Sequence, residues 1–320
     1  MENFSSIFRY IMEQVREQAP LIHCIANPIS IHDCANVVLA AGARPIMAEH
    51  PGEVREITAG ARALALNIGN ITDARKESVR ICMEEAARRR IPAVLDMVGI
   101  GCSSMRRQLV LDCLERRREI CPQAPLILKG NLSEIKTLAT AGEKEPVHTD
   151  GVDARACDGL TRENEAQTIQ MIRGLAAAHQ AVILATGKTD VIADERNAYL
   201  ADNGCPAMSQ ITGTGCMLTV LAAVYASQSG CATGLYNWQE PFNPQKSATR
   251  QKPADAQADS LPTGLTEAAL LAALVSGICG ERAAEDWKGT GTFQVRLMDE
   301  FSGCTWELVE KYRKVREWNE

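Results

Sequence analysis

Short apolar runs alternate with helical stretches from residue 20 onward, and this alternation leaves few architectures open. Leu21 to Ile25, Pro45 to Met47, Leu64 to Leu66, Ala93 to Leu95 and Leu126 to Leu128 read as short buried strands. Strands covered on both faces are near-continuously apolar, as these are. Between them the pattern predicts helices over 31–42, 51–59, 71–89, 104–119 and 131–141. Repeated strand–helix alternation with short connections predicts right-handed βαβ units and a parallel sheet. Later, Ala181 to Ala185, Val191 to Ile192 and Ala198 to Leu200 are separated only by turns, which predicts a local antiparallel meander.

Composition agrees with an α/β chain. Aromatic residues make up only 4% of the 320, while Ala, Ile, Leu and Val are abundant, which suits a helix-covered sheet better than a β-sandwich. Two segments break the rhythm. Residues 141–160 mix charge and glycine and read as a loop. Residues 228–262, rich in Gln, Ser, Ala, Pro and Lys, read as a mobile insertion between two helices. A helical pattern over 264–285 then restores the apolar core. With no internal repeat, the chain reads as one domain over 1–320 carrying that insertion at 228–262.

A net charge of −6 argues against nucleic acid or an anionic membrane as the main partner. The first 20 residues are charged throughout and lack the apolar region of a signal peptide, and the longest apolar stretch, Ala268 to Val275, cannot span a bilayer. A soluble, cytoplasmic protein is expected. The twelve cysteines contain no Cys-x-x-Cys pair and no Cys/His cluster at zinc spacing. Most, such as Cys82, Cys113 and Cys279, fall in apolar helical patterns, where a thiol acts as a small core residue. The five histidines form no metal pattern.

Chemistry concentrates elsewhere. Ile211-Thr212-Gly213-Thr214-Gly215-Cys216 runs straight into an apolar helical stretch, Leu218 to Ala226. Glycines let backbone approach a ligand closely, and the first turn of a helix offers unpaired N–H groups and a dipole that favours negative charge. Such a loop can hold phosphoryl oxygens, with Cys216 facing the reacting centre. Asp96 ends the strand Ala93 to Leu95 before a glycine-rich turn, where open α/β sheets place ligands. It reads either as a carboxylate for Mg2+ or as a turn or cap residue. In Lys129-Gly130-Asn131-Leu132-Ser133-Glu134, Asn131 and Glu134 make a capping box for the next helix. Lys129 near phosphate and Glu134 as a second metal ligand, direct or through water, are compatible with that cap.

Gly187-Lys188-Thr189 is not a phosphate loop, because Val182 stands where that motif needs glycine. It reads as a hairpin turn, with Thr186 at the carboxyl edge of the sheet. Asn27 and Asn67 each follow a strand, which suits either recognition of a small, weakly polar molecule or a plain turn.

Together these residues resemble the hydroxyethylthiazole kinases, ribokinase-like enzymes of thiamine salvage. The likeness covers about 20–140 and 180–300. It rests on Asn27-Pro-Ile-Ser-Ile-His-Asp-Cys-Ala-Asn36, Pro45-Ile-Met47-Ala-Glu49-His, Leu66-Asn-Ile-Gly-Asn-Ile and Asp96-Met-Val-Gly99-Ile-Gly101. It continues through Lys129-Gly-Asn-Leu-Ser-Glu134-Ile, Ala185-Thr-Gly, Ile211-Thr-Gly-Thr-Gly-Cys216-Met and Gly289-Thr-Gly-Thr-Phe293. The resemblance implies a three-layer α/β/α ribokinase-like fold with a mostly parallel sheet, and a homotrimer with active sites between subunits. It implies transfer of the ATP γ-phosphoryl group to the hydroxyl of 4-methyl-5-(2-hydroxyethyl)thiazole with Mg2+. By position, Met47, Asn27 and Gly213 would meet the thiazole, Lys129 and Thr186 the ATP, and Asp96 and Glu134 the metal. Cys216 stands where most ribokinase-like kinases carry an aspartate base.

Three features depart from the family pattern: Lys129 where arginine is common, Met97 where proline usually follows the aspartate, and the 228–262 segment. A thiol at a helix N-terminus can have its pKa lowered, while nearby phosphates push the other way. The expectation is that Cys216 positions the alcohol and serves only partly as base. Two other readings are an NAD(P)H-hydrate dehydratase on the same fold and a silent thiazole- or nucleotide-binding protein. Kinases for pyridoxine or hydroxymethylpyrimidine fit less well, because the Asn27 to Asn36 stretch is not theirs.

Overall fold

The computed structural model describes residues 2–141, 159–229 and 264–319. Nearly all of the two segments read as loop and insertion therefore lies outside the described residues. The eight apolar runs singled out above each form a strand: β1 (Leu21–Ile25), β2 (Arg44–Ile46), β3 (Ala63–Asn67), β4 (Ala93–Asp96), β5 (Leu126–Asn131), β6 (Val182–Thr186), β7 (Asp190–Ala193) and β8 (Ala198–Ala201). A further strand, β9 (Val315–Glu317), has no apolar signature and closes the edge. The sheet order is β2-β1-β3-β4-β5-β6-β7-β8-β9. Pairing is parallel from β2 through β6 and antiparallel from β6 to β9, so the meander expected after residue 181 is present.

Successive residues of a strand face opposite sides of its sheet, and the core divides accordingly. Ala63, Ala65, Val94, Ile127, Val182 and Leu184 enter one buried cluster. Leu64, Leu66, Ala93, Leu95, Leu126, Leu128 and Ile183 enter the other. The first cluster is covered by α1 (Glu2–Gln18), α2 (Ile31–Ala40), α8 (Thr214–Ala226), α9 (Leu265–Ala283), α10 (Thr290–Gly303) and α11 (Trp306–Tyr312). The second is covered by α3 (Val54–Gly60), α4 (Asp73–Arg89), α5 (Ser104–Ile120), α6 (Leu132–Ala139) and α7 (Glu165–His179). The result is the three-layer α/β/α arrangement.

The α1 helix was not among the elements expected from the sequence, yet Phe8, Ile11, Met12 and Val15 make one buried stripe at helical spacing. Cys82, Cys113 and Cys279 are buried core residues, as expected, and all ten described cysteines are unbridged. Val182 is the first residue of β6, which confirms the hairpin reading of the following Gly-Lys-Thr. Among the described residues, no helix is long and apolar enough to cross a membrane.

Candidate active site

The chain leaves β1 for β2 by way of α2 on one face, then returns across β1 to β3 and continues with α4 on the other face. This reversal creates a switch point, and a crevice opens beyond the carboxyl ends of the strands there. The register lines up the side chains of that edge. Asn67 pairs with Asp96, Asp96 with Lys129, and Asn131 with Thr186.

Helix α8 packs across β3 and β4 with its N-terminus at the same edge. Gly213 precedes it with φ +92°, a left-handed conformation in which a side chain is strained. A Cβ at Gly213 would lie 2.9 Å from Ser30 Cβ, so both conformation and space demand glycine. The first bond within the helix runs from Met217 N to Gly213 O at 2.8 Å. The amides of Thr214, Gly215 and Cys216 come before it and have no acceptor in the helix.

Asp96 is completely buried beneath this turn. Its Oδ2 accepts three hydrogen bonds, from Thr219 Oγ1 (2.7 Å), Asn67 Nδ2 (2.9 Å) and Lys129 Nζ (3.0 Å). Its Oδ1 is buried and has no partner. Lys129 also donates to Gly215 O at 3.0 Å, tying the carboxylate to the loop. Burial pulls the Lys129 ammonium down, but Asp96 beside it more than offsets this and holds its pKa above the ordinary value.

Asn67 Nδ2 donates to Cys216 Sγ as well, at 3.3 Å, and Asn67 Oδ1 accepts from Gly69 N at 2.8 Å. Asn67 is therefore spent inside the protein rather than offered to a ligand. The Cys216 thiol is pushed up, first by burial and then by Asp96. Hydrogen bonds from Ser30 and Asn67 and the Lys129 charge pull it down but are outweighed. The thiol is neutral at pH 7. The sequence set a helix N-terminus against nearby negative charge without deciding between them; desolvation, with the Asp96 carboxylate adding to it, outweighs the dipole.

Glu134 makes the expected capping box: Glu134 N donates to Asn131 Oδ1 (2.9 Å), and Glu134 Oε2 accepts from Asn131 N (2.7 Å). Its Oε1 accepts from Gly99 N at 2.7 Å, fixing the glycine turn that follows Asp96. Burial, with Asp96 adding to it, raises the Glu134 carboxyl to about 7. Asn27 lies two residues beyond β1, and its Oδ1 accepts from Ile29 N at 3.3 Å. Met47 is half-buried against the first core. Its flanking backbone is anchored by a 2.9 Å bond between His23 Nε2 and Ala48 O and by Ser78 Oγ donating to Glu49 O at 2.7 Å. Since Ala48 O can only accept, Nε2 carries the His23 proton and Nδ1 accepts from Thr58 Oγ1 at 2.9 Å. Thr186 ends β6, its Oγ1 3.4 Å from Gly130 O.

Residues 12–260 match the hydroxyethylthiazole kinase family. The chain belongs to that family. It is 38% identical over 308 residues to hydroxyethylthiazole kinase 2 of Clostridium botulinum strain Langeland, covering 96% of this chain and 99% of that protein. It is 34% identical over 298 residues to hydroxyethylthiazole kinase 1 of Methanosphaera stadtmanae, covering 91% and 90%. Among solved structures, the hydroxyethylthiazole kinase protein of Pyrococcus horikoshii OT3 superposes with a TM-score of 0.75 at 26% identity, covering 98% of this chain and all of that one. A ribokinase-like superfamily protein of Enterococcus faecalis V583 shares the fold, with a TM-score of 0.54 at 11% identity, covering 92% and 95%.

In this hydroxyethylthiazole kinase family member, no group of three His, Cys, Asp or Glu could hold a metal ion among the described residues. A cation here would have few protein ligands. The unpartnered Asp96 Oδ1 suits Mg2+, a hard ion that binds through one or two carboxylates together with phosphate oxygens and water. Both Glu134 oxygens already accept backbone N–H groups, which favours a water-mediated contact over direct ligation. Sequence reasoning missed Thr219 and Ser30. Thr219 follows Gly215 by four residues on an apolar helix, so its placement on the same face was readable. Its partner was not.

Proposed function

We propose that the chain transfers the γ-phosphoryl group of ATP to the hydroxyl of 4-methyl-5-(2-hydroxyethyl)thiazole, giving the thiazole phosphate used in thiamine salvage. Family membership supports this, and one observation carries the chemistry. The buried free oxygen of Asp96 lies under a helix start whose first amides have no acceptor in the helix. Phosphoryl transfer proceeds through a loose transition state that depends mainly on positioning and charge stabilisation. The amides of Thr214, Gly215 and Cys216 would receive the phosphoryl oxygens. Mg2+, held at Asp96 and reached through water from Glu134, would neutralise phosphate charge when bound. Lys129 donates to Asp96 Oδ2 and to the Gly215 carbonyl, tying the carboxylate to the loop. Asn27, Met47 and Gly213 would line the thiazole side, with Thr186 and Lys129 on the ATP side.

The new O–P bond forms as the bond to the β-phosphate oxygen breaks, ADP leaves with that oxygen, and the alcohol proton passes late to an oxygen of the transferred phosphoryl group. No strong base is needed. The neutral Cys216 thiol holds the alcohol rather than deprotonating it. Cys216→Ala should therefore leave measurable turnover, and Cys216→Asp should be tolerated. Loss of all activity in both variants, with folding and ATP binding intact, would overturn that role. ATP turnover with Mg2+ and the thiazole alcohol, run beside hydrated NADH, tests the reading as a whole. Turnover with hydrated NADH alone, or with neither, sinks it.

We also infer a homotrimer with sites between subunits, on the family pattern. Ile29, beside Asn27, and Val295 on α10 are exposed large apolar side chains suited to burial against a second copy. Sedimentation giving the mass of a single chain at assay concentration would refute it.

A further inference from the structure

Asn67 is the one described side chain that donates both to the carboxylate proposed for the metal and to the thiol proposed for the alcohol. A side-chain amide has two N–H hydrogens and one carbonyl oxygen. The nitrogen faces Asp96 Oδ2 at 2.9 Å and Cys216 Sγ at 3.3 Å, and the oxygen takes the Gly69 amide at 2.8 Å. Asn67 is buried, so any of these groups left unmatched carries its full desolvation cost. The turn is also tight enough to require glycine at position 69. A Cβ on Gly69 would stand 2.8 Å from Asn67 Oδ1 and 2.6 Å from Asn27 Nδ2. The amide is thus locked with its nitrogen between two groups that belong to different chains of events, one at the phosphate and one at the acceptor.

We propose that Asn67 is a positioning residue that couples the two halves of the site. It turns Asp96 so that Oδ1 stays free, and it turns Cys216 so that the sulfur is held as an acceptor while its S–H points to the alcohol. Three donors crowd one carboxylate oxygen, and Lys129 and Thr219 supply the other two. Only the Asn67 nitrogen also reaches sulfur. This inference rests on the functional reading above.

Two substitutions separate coupling from plain turn-building. Asn67→Asp is isosteric and keeps the oxygen that accepts from Gly69 N, but it loses both N–H donors. Asn67→Ala loses everything. If Asn67 couples the site, Asn67→Asp lowers kcat by roughly tenfold to a hundredfold, as expected for hydrogen bonds to charged or reacting groups. It also raises both the thiazole KM and the half-saturating Mg2+ concentration. If Asn67 only shapes the turn, Asn67→Asp and Asn67→Ala lower kcat by the same factor whether Cys216 is present or replaced by Ala, and the proposal fails. In the Cys216→Ala background, Asn67→Asp should cost at least threefold less than in the wild type, and effects that multiply within about twofold would overturn the coupling.

A readout free of catalysis completes the test. Iodoacetamide labelling of the Cys216 peptide, followed by mass spectrometry at pH 8.5, reports the thiolate fraction. Asn67→Asp should slow it roughly tenfold, because the donor is gone and a carboxyl takes its place. An unchanged rate refutes the contact. Should the wild type fail to phosphorylate the thiazole alcohol, the functional reading falls, and the labelling rates still decide whether Asn67 holds the thiol.

Discussion

The ion pair under the loop gives the sharpest test of the site's electrostatics. Lys129→Met keeps the length of an unbranched side chain and removes the ammonium that lies 3.0 Å from Asp96 Oδ2. Asp96 is fully buried, so its charge would then rest on two neutral donors, Asn67 and Thr219. Removing one partner of a buried pair costs about 3–5 kcal/mol. There is a ceiling, because the stranded carboxyl can take up a proton instead. An aspartate in water titrates near about 3.9, so neutralising one costs about 4 kcal/mol at pH 7 and about 1.5 kcal/mol at pH 5. For a chain of this length, about 4 kcal/mol corresponds to a Tm lower by about 6 °C.

The sign follows from linkage. In the variant the folded state gains a proton the unfolded chain lacks at neutral pH, so its deficit shrinks as pH falls from 7 to 5. Urea denaturation of wild type and variant at both pH values reads this directly. Asp96→Asn alone strands the lysine and should cost a similar amount, while the double variant should recover most of the loss. A deficit under about 1 kcal/mol at pH 7, or one that does not shrink at pH 5, would refute the view that Lys129 compensates Asp96.

Two further outcomes are expected. Gly213→Ala places a methyl group 2.9 Å from Ser30 Cβ at φ +92°, so it should lower stability by about 1–2 kcal/mol and raise the thiazole KM. Gly289→Ala, where nothing lies within 4 Å, is the control and should match wild type in thermal melts and kinetics. Glu134 titrates at about 7 in the fold against 4.5 unperturbed, so its contribution is fully present below 4.5 and is lost as pH rises through 7. The loss amounts to about 3 kcal/mol at most, and Glu134→Gln should flatten the denaturation midpoint between pH 5 and 8.

Much of this protein was legible from local pattern. The apolar runs are strands because a parallel sheet covered on both faces admits little else. Gly213 is a glycine because the turn into α8 needs a left-handed residue. Asn131 and Glu134 form a capping box because three residues is one helical turn. All of these are set by neighbours within a few positions. The helices α1, α7, α10 and α11 were not assigned from the sequence, although α1 carries an apolar stripe at helical spacing, and β9 is a strand only because β8 offers it an edge.

Only the tertiary structure decided the chemistry of Asp96 and Cys216. The donors on Asp96 Oδ2 come from 29, 33 and 123 positions away, and the Asn67 contact to Cys216 spans 149. No local spacing encodes such convergence, which sheet register and helix packing create together. The thiol shows the consequence. Its position at a helix start favours the thiolate, yet burial beside a carboxylate keeps it protonated, and burial is a property of the folded chain alone.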